Sequence, residues 1–320
     1  MCYSALVQAD YRAYVRAYGA DVDLQAFVRL AERRLREGRV PMPKAMVDAF
    51  AQASTPAEME VRALLDQYAA QEATRLQEGL FAQKKRLADA ERVLASAKPT
   101  KKAGEDQRIA SNKIEQSLAK LADLQRTEPK ERDSRIFPGH FCPVMVWEDG
   151  RRVVKPMRYQ CRPAGKPAFY DAKYPGTYNA RRDNLEGFWK GQFGHTHGLL
   201  VVTSFFENVA RHRVEDRELA EGEDPENLVL RFDPAGGLPM LVACLWSHWA
   251  GAGGEELLSF AAITDEPPPE VSSAGHDRCI VPIKASAIDA WLRPGRGDLA
   301  AQYAILDDRE RPYYEHRLAA

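Results

Sequence analysis

The sequence predicts an α+β protein: a mostly antiparallel, curved, barrel-like β domain interrupted by an inserted helical hairpin or coiled coil. Residues 11 to 128 follow the helical period of apolar residues, whereas the pattern changes to the strand period after Arg135. Short apolar runs then succeed one another, separated by Gly, Pro and Asp clusters, which favours an antiparallel sheet over alternating strands and helices. The predicted parts are a β domain of residues 1–10 plus 135–320 and a helical insertion of residues 11–134.

The helical part divides into several runs. Tyr11 to Tyr18 and Leu24 to Leu35 are amphipathic, and Gly38 ends the second run. Thr55-Pro56-Ala57-Glu58 has the pattern of a capping box and begins a run of about forty residues. A break at residues 98–104 precedes a second run, which predicts an antiparallel pair. Its mixed charges indicate either a solvated face or an arm for a protein partner or for self-association.

The strand part begins with a hairpin. Phe141 to Trp147 and Val153-Val154 flank Asp149-Gly150, a pair typical of tight hairpin turns. Further short strands are expected in the remaining chain, as follows: Gly198–Ser204, Leu228–Phe232, Leu241–Trp246, Leu258–Thr264 and Ile280–Ile283.

Bulk composition excludes several classes of protein. The chain has 320 residues, a formal net charge of -1 and five cysteines without a C-x-x-C pair. Neither global basicity, a disulfide framework nor a zinc ribbon is indicated. His195 and His197 alternate, but no third ligand is nearby in sequence, so we expect no metal and no cofactor. No apolar run is long enough to cross a membrane, and we expect a soluble cytoplasmic protein.

Cys2 is the first candidate for chemistry. Removal of Met1 would leave an N-terminal cysteine that carries an α-amine and a thiol on adjacent carbons. The α-amine has an ordinary pKa of about 7.7–8.0, so part of it is neutral at pH 7 and condenses with an aldehyde. The thiol can then close a thiazolidine ring. The alternative is that Cys2 is an incidental residue at a frayed terminus.

Two basic segments are candidates for binding phosphate. Residues 151–166 hold six Lys and Arg residues, among them Arg158 and Arg162, and no acidic residue. They form either a phosphate-binding face, with Tyr159 and Phe169 stacking on unpaired bases, or an ordinary charged hairpin face. Farther along, Asn179 offers hydrogen bonds to a sugar or carbonyl oxygen, beside Arg181 and Arg182. The bidentate fork of Arg181 suits a phosphate.

Two further residues suit proton transfer. Glu207 follows an apolar strand and Phe206, where desolvation raises the pKa of a carboxyl into the range of a general acid or base. His276, in a predicted loop before Arg278, titrates near neutral pH. The alternatives are a strand-end glutamate that reaches water and an incidental loop histidine.

Together these pieces resemble the SRAP family, the SOS-response-associated peptidases, also described as abasic-site processing proteins. Its motifs occur here in the family order: Met1-Cys2, Asn179-Ala180-Arg181, an aromatic residue with Glu207, Ala243-Cys244-Leu245-Trp246, Ile263-Thr264, His276-Asp277-Arg278 and Trp291-Leu292. The resemblance covers residues 1–4 and about 135–295. It does not cover the helical insertion, which is unusually large for such a domain.

The resemblance implies a function in DNA damage and the SOS response. Cys2 would form a covalent thiazolidine with the aldehyde of an abasic site in single-stranded DNA, and Glu207 would move protons. His276 would assist ring opening or crosslink reversal, while Asn179 would bind near the reacting sugar. It also implies autopeptidase (hydrolase) activity, with lyase activity as a further option, and association with the nucleoid when DNA is bound. The expected DNA contacts are Arg158, Tyr159, Arg162, Arg181, Arg182 and Arg278.

Departures from the family pattern point to altered substrate geometry. The usual M-C-G-R start reads Tyr3 and Ser4 after Cys2, so an arginine contact to phosphate is missing there. Asn208 replaces the usual aromatic residue after the glutamate, and Asp183 replaces the acidic residue of N-A-R-x-E. Two other functions stay open: a cysteine-dependent peptidase acting through Cys2, and a non-catalytic DNA-binding or scaffold protein.

Overall fold

The computed structural model describes residues 3–215, 217–295 and 297–319. Within them the chain forms one connected β-sheet with helices packed around it. The strands are β1 Ser4–Val7, β2 Asp21–Val22, β3 Arg135–Ile136, β4 Phe141–Glu148, β5 Arg151–Tyr159, β6 Asn179–Arg181, β7 His197–Ala210, β8 Asn227–Pro234, β9 Met240–Ala250, β10 Glu256–Asp265, β11 Cys279–Ile280, β12 Pro282–Ile283 and β13 Tyr314–Leu318.

The helices concentrate in the first part of the chain and at its end. They are α1 Tyr11–Tyr18, α2 Leu24–Glu37, α3 Lys44–Asp48, α4 Pro56–Leu94, α5 Lys101–Gln125, α6 Tyr170–Lys173, α7 Arg211–Val214, α8 Pro269–Ser273, α9 Ile288–Leu292 and α10 Leu299–Asp307. Short 3₁₀ turns lie at Glu131–Ser134, Arg182–Asn184 and Ala285–Ala287.

Five strands close a barrel in the order β9-β10-β5-β4-β7, and β7 pairs with β9 to complete the ring. Most pairings are antiparallel; β5 and β6 run parallel to β10, and β2 runs parallel to β5. Closure leaves no open edge among these five strands. The predicted fold class, a mostly antiparallel, barrel-like sheet with helical additions, is therefore confirmed.

The first hairpin forms at the predicted place. Strands β4 and β5 pair from Phe141 opposite Arg158 to Glu148 opposite Arg151. Asp149 and Gly150 both have positive φ angles, 51° and 81°. A two-residue turn with both φ angles positive matches the right-handed twist of the strands that it joins.

The first helices of the 11–134 segment belong to the same hydrophobic core as the barrel. Tyr14 is fully buried, donates to the Pro143 carbonyl oxygen at 3.1 Å and accepts from the Val201 amide at 3.2 Å. Strand β2 extends the sheet beside β5. The division into 1–10 plus 135–320 and 11–134 stays a prediction about the chain, and helices α1 to α3 pack directly on the barrel.

Helices α4 and α5 form the predicted antiparallel pair. Thr55 and Glu58 make the expected reciprocal capping box at the start of α4. Small residues, Ala90 on α4 and Ala103 and Ala110 on α5, are buried where the helices meet. Coiled-coil geometry stays a prediction. No helix in the described part of the chain is both long and apolar enough to span a bilayer.

Candidate active site

Strand β1 holds the start of the chain against the middle of β7. Ser4 lies opposite Phe206 in antiparallel register, and Ala5 lies opposite Phe205. This pairing places Tyr3, the residue before Ser4, next to Glu207. Cys2, the predicted nucleophile, lies outside the described residues; its neighbour Tyr3 is the first residue described.

Glu207 is a fully buried carboxyl at this point of β7, with a residue exposure of 0%. Burial raises the pKa of Glu207 to about 8, because the ionised form loses its hydration. A hydrogen bond from the backbone amide of Tyr3 favours the ionised form and offsets only part of the rise. Glu207 is therefore mostly protonated at neutral pH.

His276 contacts Glu207 directly. Its Nε2 lies 3.2 Å from Glu207 Oε2, and its Nδ1 lies 2.8 Å from the Arg278 carbonyl oxygen. The carbonyl only accepts, so Nδ1 carries the proton and Nε2 accepts from the protonated Glu207. The longer approach of the Arg278 amide to Nδ1, 3.3 Å, would need the opposite tautomer. Burial lowers the pKa of His276, so the pair shares one proton as neutral acid and neutral imidazole.

Asn179 lies on β6, parallel to β10, with its backbone opposite Ala262. It is buried, and the Tyr159 hydroxyl reaches its Oδ1 at 3.5 Å. Its Nδ2 has no hydrogen-bond partner among the residues that the structure describes. The preceding residue, Tyr178, has its ring 6.5 Å from that of Tyr3. The structure thus brings Glu207 and His276 into contact and connects Asn179 to them through Tyr178 and Tyr3.

Three of the predicted DNA contacts serve the protein interior. The Tyr159 ring is only 2% exposed and stacks on Phe260, so it offers no free face to a base. Arg158 forms an ion pair with Asp171 at 2.8 Å, and Arg162 forms a second one with the same carboxylate. Both arginines are largely buried. Burial and these ion pairs argue against direct DNA contacts by Arg158, Tyr159 and Arg162. The sequence pattern did not show that Asp171 pairs with both arginines.

The other three predicted contacts, Arg181, Arg182 and Arg278, line one pocket together with Thr264. Arg181 is half exposed and bonds to Asp183, with Nε 3.0 Å from Oδ1. Arg182 lies between Asp265, at 3.2 Å, and Asp307. The charge of this pocket is mixed, and Arg181 presents the most accessible cation of the three.

Arg135 is a residue that sequence reasoning missed. Its Nε and Nη2 lie 3.1 and 3.0 Å from the Ser4 hydroxyl, and its guanidinium lies 3.6 Å above the Phe206 ring. Among the described residues no carboxylate forms an ion pair with it. Burial and the nearby Arg231 charge lower the pKa of Arg135. In the sequence, the only feature that distinguished Arg135 was its position at the start of the region with strand periodicity.

His197 and the cysteines among the described residues are buried in the protein interior. The His197 ring stacks on Trp291 with centroids 4.0 Å apart, Nε2 accepts from the Gly194 amide, and Nδ1 bonds to the Trp291 carbonyl. The cysteines of the described chain are buried free thiols whose pKa is raised by burial: Cys142, Cys161, Cys244 and Cys279. Buried thiols are poor nucleophiles.

The family comparison matches this picture. The family model described as SOS response associated peptidase (SRAP) matches residues 105–318, so the chain belongs to the SRAP family. The resemblance stated from the sequence is thereby confirmed, and the family associates the chain with the SOS response and DNA damage. No curated protein matches the sequence.

Several solved structures are similar to parts of the chain. A protein from Bordetella bronchiseptica is 19% identical with a TM-score of 0.46, covering 58% of this chain and 87% of its own. A protein from Bacteroides thetaiotaomicron is 14% identical with a TM-score of 0.45, covering 58% and 78%. A phage-related protein from Bordetella bronchiseptica is 18% identical with a TM-score of 0.44, covering 63% and 88%.

Proposed function

We propose that this protein is a covalent trap for abasic sites in single-stranded DNA and that Cys2, once N-terminal, is the reacting residue. The observation that carries the proposal is the fully buried Glu207, whose Oε2 lies 3.2 Å from His276 Nε2 beside the start of β1. Burying a carboxyl costs free energy, and a buried carboxyl with a raised pKa is a candidate for a chemical role. The Tyr3 amide bonded to Glu207 belongs to the peptide link with Cys2.

The proposed reaction converts an aldehyde and an aminothiol into a thiazolidine and water. The neutral α-amine of Cys2 adds to the aldehyde carbon of the ring-opened sugar and gives a carbinolamine. Protonation of its hydroxyl by Glu207 lets water leave and forms an imine. The thiol sulfur then adds to the imine carbon, and its proton passes to the nitrogen as the ring closes.

Glu207 and His276 supply the proton steps. Protonated Glu207 is a general acid at neutral pH, because its pKa is about 8. After Glu207 donates, His276 Nε2 can take up a proton from solvent and pass it to the carboxylate 3.2 Å away. The same path in reverse protonates the ring and opens it, which is the crosslink reversal expected of His276.

The DNA strand is held by groups around this pair. Asn179 offers its side-chain amide to the sugar oxygens, and Arg181 offers an accessible guanidinium to a phosphate. We assign a second phosphate contact to Arg135, whose charge lies on Ser4, where the usual family arginine is absent. Asn208 is exposed on β7 and takes the place of the usual aromatic wedge with a smaller, polar side chain.

The test uses Met1-processed protein and single-stranded DNA that carries one abasic site. We expect a shifted band that survives a denaturing gel. Cys2→Ala keeps an α-amine but has no thiol, so it should give a band only after borohydride reduction of the imine. Protein that retains Met1 should give neither. A stable band from Cys2→Ala without reduction would refute the thiazolidine.

The family's name favours one alternative, a peptidase. In it Cys2 would attack a peptide carbonyl with Glu207 and His276 as proton carriers, and the self-removal of Met1 would be its simplest reaction. Turnover of peptides by the processed protein, without crosslinking to abasic DNA, would favour this alternative. A lyase activity would instead appear as strand cleavage at the abasic site.

A further inference from the structure

A cluster of aromatic side chains lies on the surface, in the segment that joins β5 to β6 and shortly after β6. We call Phe169, Tyr170, Tyr174 and Phe188 the aromatic platform. Phe169, Tyr174 and Phe188 are 65%, 43% and 37% exposed, unusually high values for large apolar residues. The Tyr170 ring centroid lies 4.4 Å from that of Tyr174 and 6.4 Å from that of Phe188, the latter pair stacked. A contiguous exposed patch of this kind indicates a binding surface.

Lysines surround the platform. Lys166 Nζ lies 5.7 Å from the Tyr170 ring centroid, and Lys173 Nζ lies 5.4 Å from that of Tyr174. Within the described parts of the chain neither lysine forms an ion pair with a carboxylate. Asp171, the acid nearest them in sequence, is taken by Arg158 and Arg162. The surface therefore combines exposed aromatic rings with two lysines with which no carboxylate of the described residues pairs.

Hydrogen bonds and ion pairs of Asp171 connect α6 to the barrel. Arg158 and Arg162 bind the Asp171 carboxylate, and Gln160 Nε2 donates to the Asp171 carbonyl at 3.1 Å. Arg162 also lies 4.3 Å above the Trp249 ring. With Asp171 fixed inward, the neighbouring rings of α6 stay on the outer surface. A surface ordered before binding loses less conformational entropy when it binds.

The platform lies close to the candidate site along the chain. Tyr174 and Asn179 are five positions apart in the chain, and five positions span at most about 18 Å. The Cys161 amide bonds to the Thr177 carbonyl at 3.0 Å and fixes this connection to the barrel. A strand that reacts beside Asn179 can therefore continue onto the platform.

We propose that the aromatic platform binds single-stranded DNA by stacking unpaired bases on its rings, with Lys166 and Lys173 facing the phosphates. Exposed aromatic faces beside cations are the chemistry that recognises single strands without sequence preference. This inference rests on the proposed function, because it extends the binding surface for the same strand. It places base stacking on the platform rather than on Tyr159, which is buried.

The experiment measures binding of intact single-stranded DNA, without an abasic site, by fluorescence anisotropy. We expect the double variant Tyr174→Ala/Phe188→Ala to bind at least about tenfold more weakly, with an unchanged salt dependence. Lys166→Gln/Lys173→Gln should lower the slope of log affinity against log salt by about 1.4. A 2-aminopurine base in the strand should be quenched by the parent protein and not by the aromatic variant.

The matched control is Phe81→Ala, an equally simple loss of an exposed aromatic residue, 74% exposed on α4. It should bind as the parent does. Duplex DNA, whose bases present no free faces, should bind equally to the parent and the aromatic variant. Thermal unfolding of each variant establishes that the fold is retained.

The outcomes separate this inference from the proposed function. If the aromatic variant binds intact strands like the parent while abasic DNA still crosslinks, DNA binding by the platform is refuted and the proposed abasic-site trap is retained. If the variant loses binding but the parent never crosslinks, DNA binding by the platform is supported and the proposed abasic-site trap is refuted. A parent that binds no single strands overturns the platform.

Discussion

Glu58 and Glu207 are both buried glutamates, yet their pKa values are shifted in opposite directions. Glu58 caps α4 and accepts from the Tyr11 hydroxyl, from Ser54 and from the Thr55 amide, and it pairs with Arg12 at 2.9 Å. Burial alone would raise the pKa of Glu58, but these hydrogen bonds hold it well below its usual range. Glu207 has an opposite balance: burial dominates and raises its pKa to about 8.

The difference lies in what each pocket offers to the ionised form. The pocket of Glu58 is built from donors and a cation, which stabilise a carboxylate permanently. The pocket of Glu207 offers His276 Nε2, an acceptor in the tautomer set by the Arg278 carbonyl. A carboxyl that keeps its proton at neutral pH and borders a titratable base is suited to proton transfer, whereas a permanent carboxylate is suited to stabilising the fold.

Exchanging each acid for its amide should separate the two roles most clearly. Glu207→Gln removes the general acid, so crosslinking to abasic DNA should slow by about 100-fold or more. Glu58→Gln should leave the rate per folded molecule unchanged but lower the free energy of unfolding by about 1–3 kcal/mol. Single-turnover crosslinking and urea unfolding measure the two effects. Equal rate losses in both variants would remove the distinction.

The pH dependence of crosslinking should reveal the raised pKa. The rate should rise with pH as the α-amine, with an ordinary pKa of about 7.7–8.0, loses its proton. It should fall as Glu207 ionises above about pH 8, giving a bell whose limbs approach tenfold per pH unit. Glu207→Gln should lose the alkaline limb and keep the rising one. A parent rate that keeps rising to pH 10 would contradict Glu207 as the acid.

Local sequence signals were sufficient for the capping box and for the burial and raised pKa of Glu207. Thr55 and Glu58 lie three residues apart, so one helical turn brings them together. Asp149-Gly150 fixed the first hairpin for the same local reason. Glu207 was recognised because it follows an apolar run and Phe206, which made burial and a raised pKa predictable.

Partners that are distant in sequence were not predictable. Arg158 and Arg162 resembled a phosphate-binding face until the structure placed Asp171 between them. The N-A-R motif was read near a turn, but it forms β6 because β10 supplies a parallel partner. Arg135 reaches Ser4 only through the pairing of β1 with β3, a contact across more than a hundred residues.

Glu207 and Glu58 should also change the pH dependence of the free energy of unfolding in opposite directions. Folded Glu207 keeps its proton between the unfolded pKa, about 4.3, and about 8, so its contribution is lost as pH rises through that window. Glu58 has a depressed pKa, so its contribution is present above about pH 4.3 and lost as pH falls.

Relative to the parent, Glu207→Gln should therefore remove a decline of up to about 1.4 kcal/mol per pH unit between about pH 4.3 and pH 8. Glu58→Gln should instead remove a decline on the acid side. Urea midpoints measured from pH 3 to 9 give both differences, since all other groups cancel. Parallel curves for the parent and both variants would show that neither shift exists.

Two buried histidines extend the comparison with a smaller expected effect. His197 has both ring nitrogens on backbone groups, whereas His276 has one on Glu207. His276→Gln should slow crosslinking reversal by about tenfold with the unfolding free energy nearly unchanged. His197→Gln should lower the unfolding free energy and leave reversal alone. If His197→Gln slowed crosslink reversal as much as His276→Gln, the contact of His276 with Glu207 would not explain its role.

Substitution of Arg135 is expected to have the smallest effect. It tests, for a cation, whether a charge without a counter-charge in the fold serves binding. Unlike Glu58, Arg135 has no counter-charge among the described residues, and its guanidinium lies on Ser4 beside the candidate site. If a DNA phosphate is its partner, Arg135→Gln should weaken single-strand binding a few-fold and lower the salt slope by about 0.7. Arg151→Gln is the matched control, because Arg151 is exposed and pairs with Asp21 at 2.8 Å. An unchanged salt slope in Arg135→Gln would mean that its charge, like that of Glu58, serves the fold.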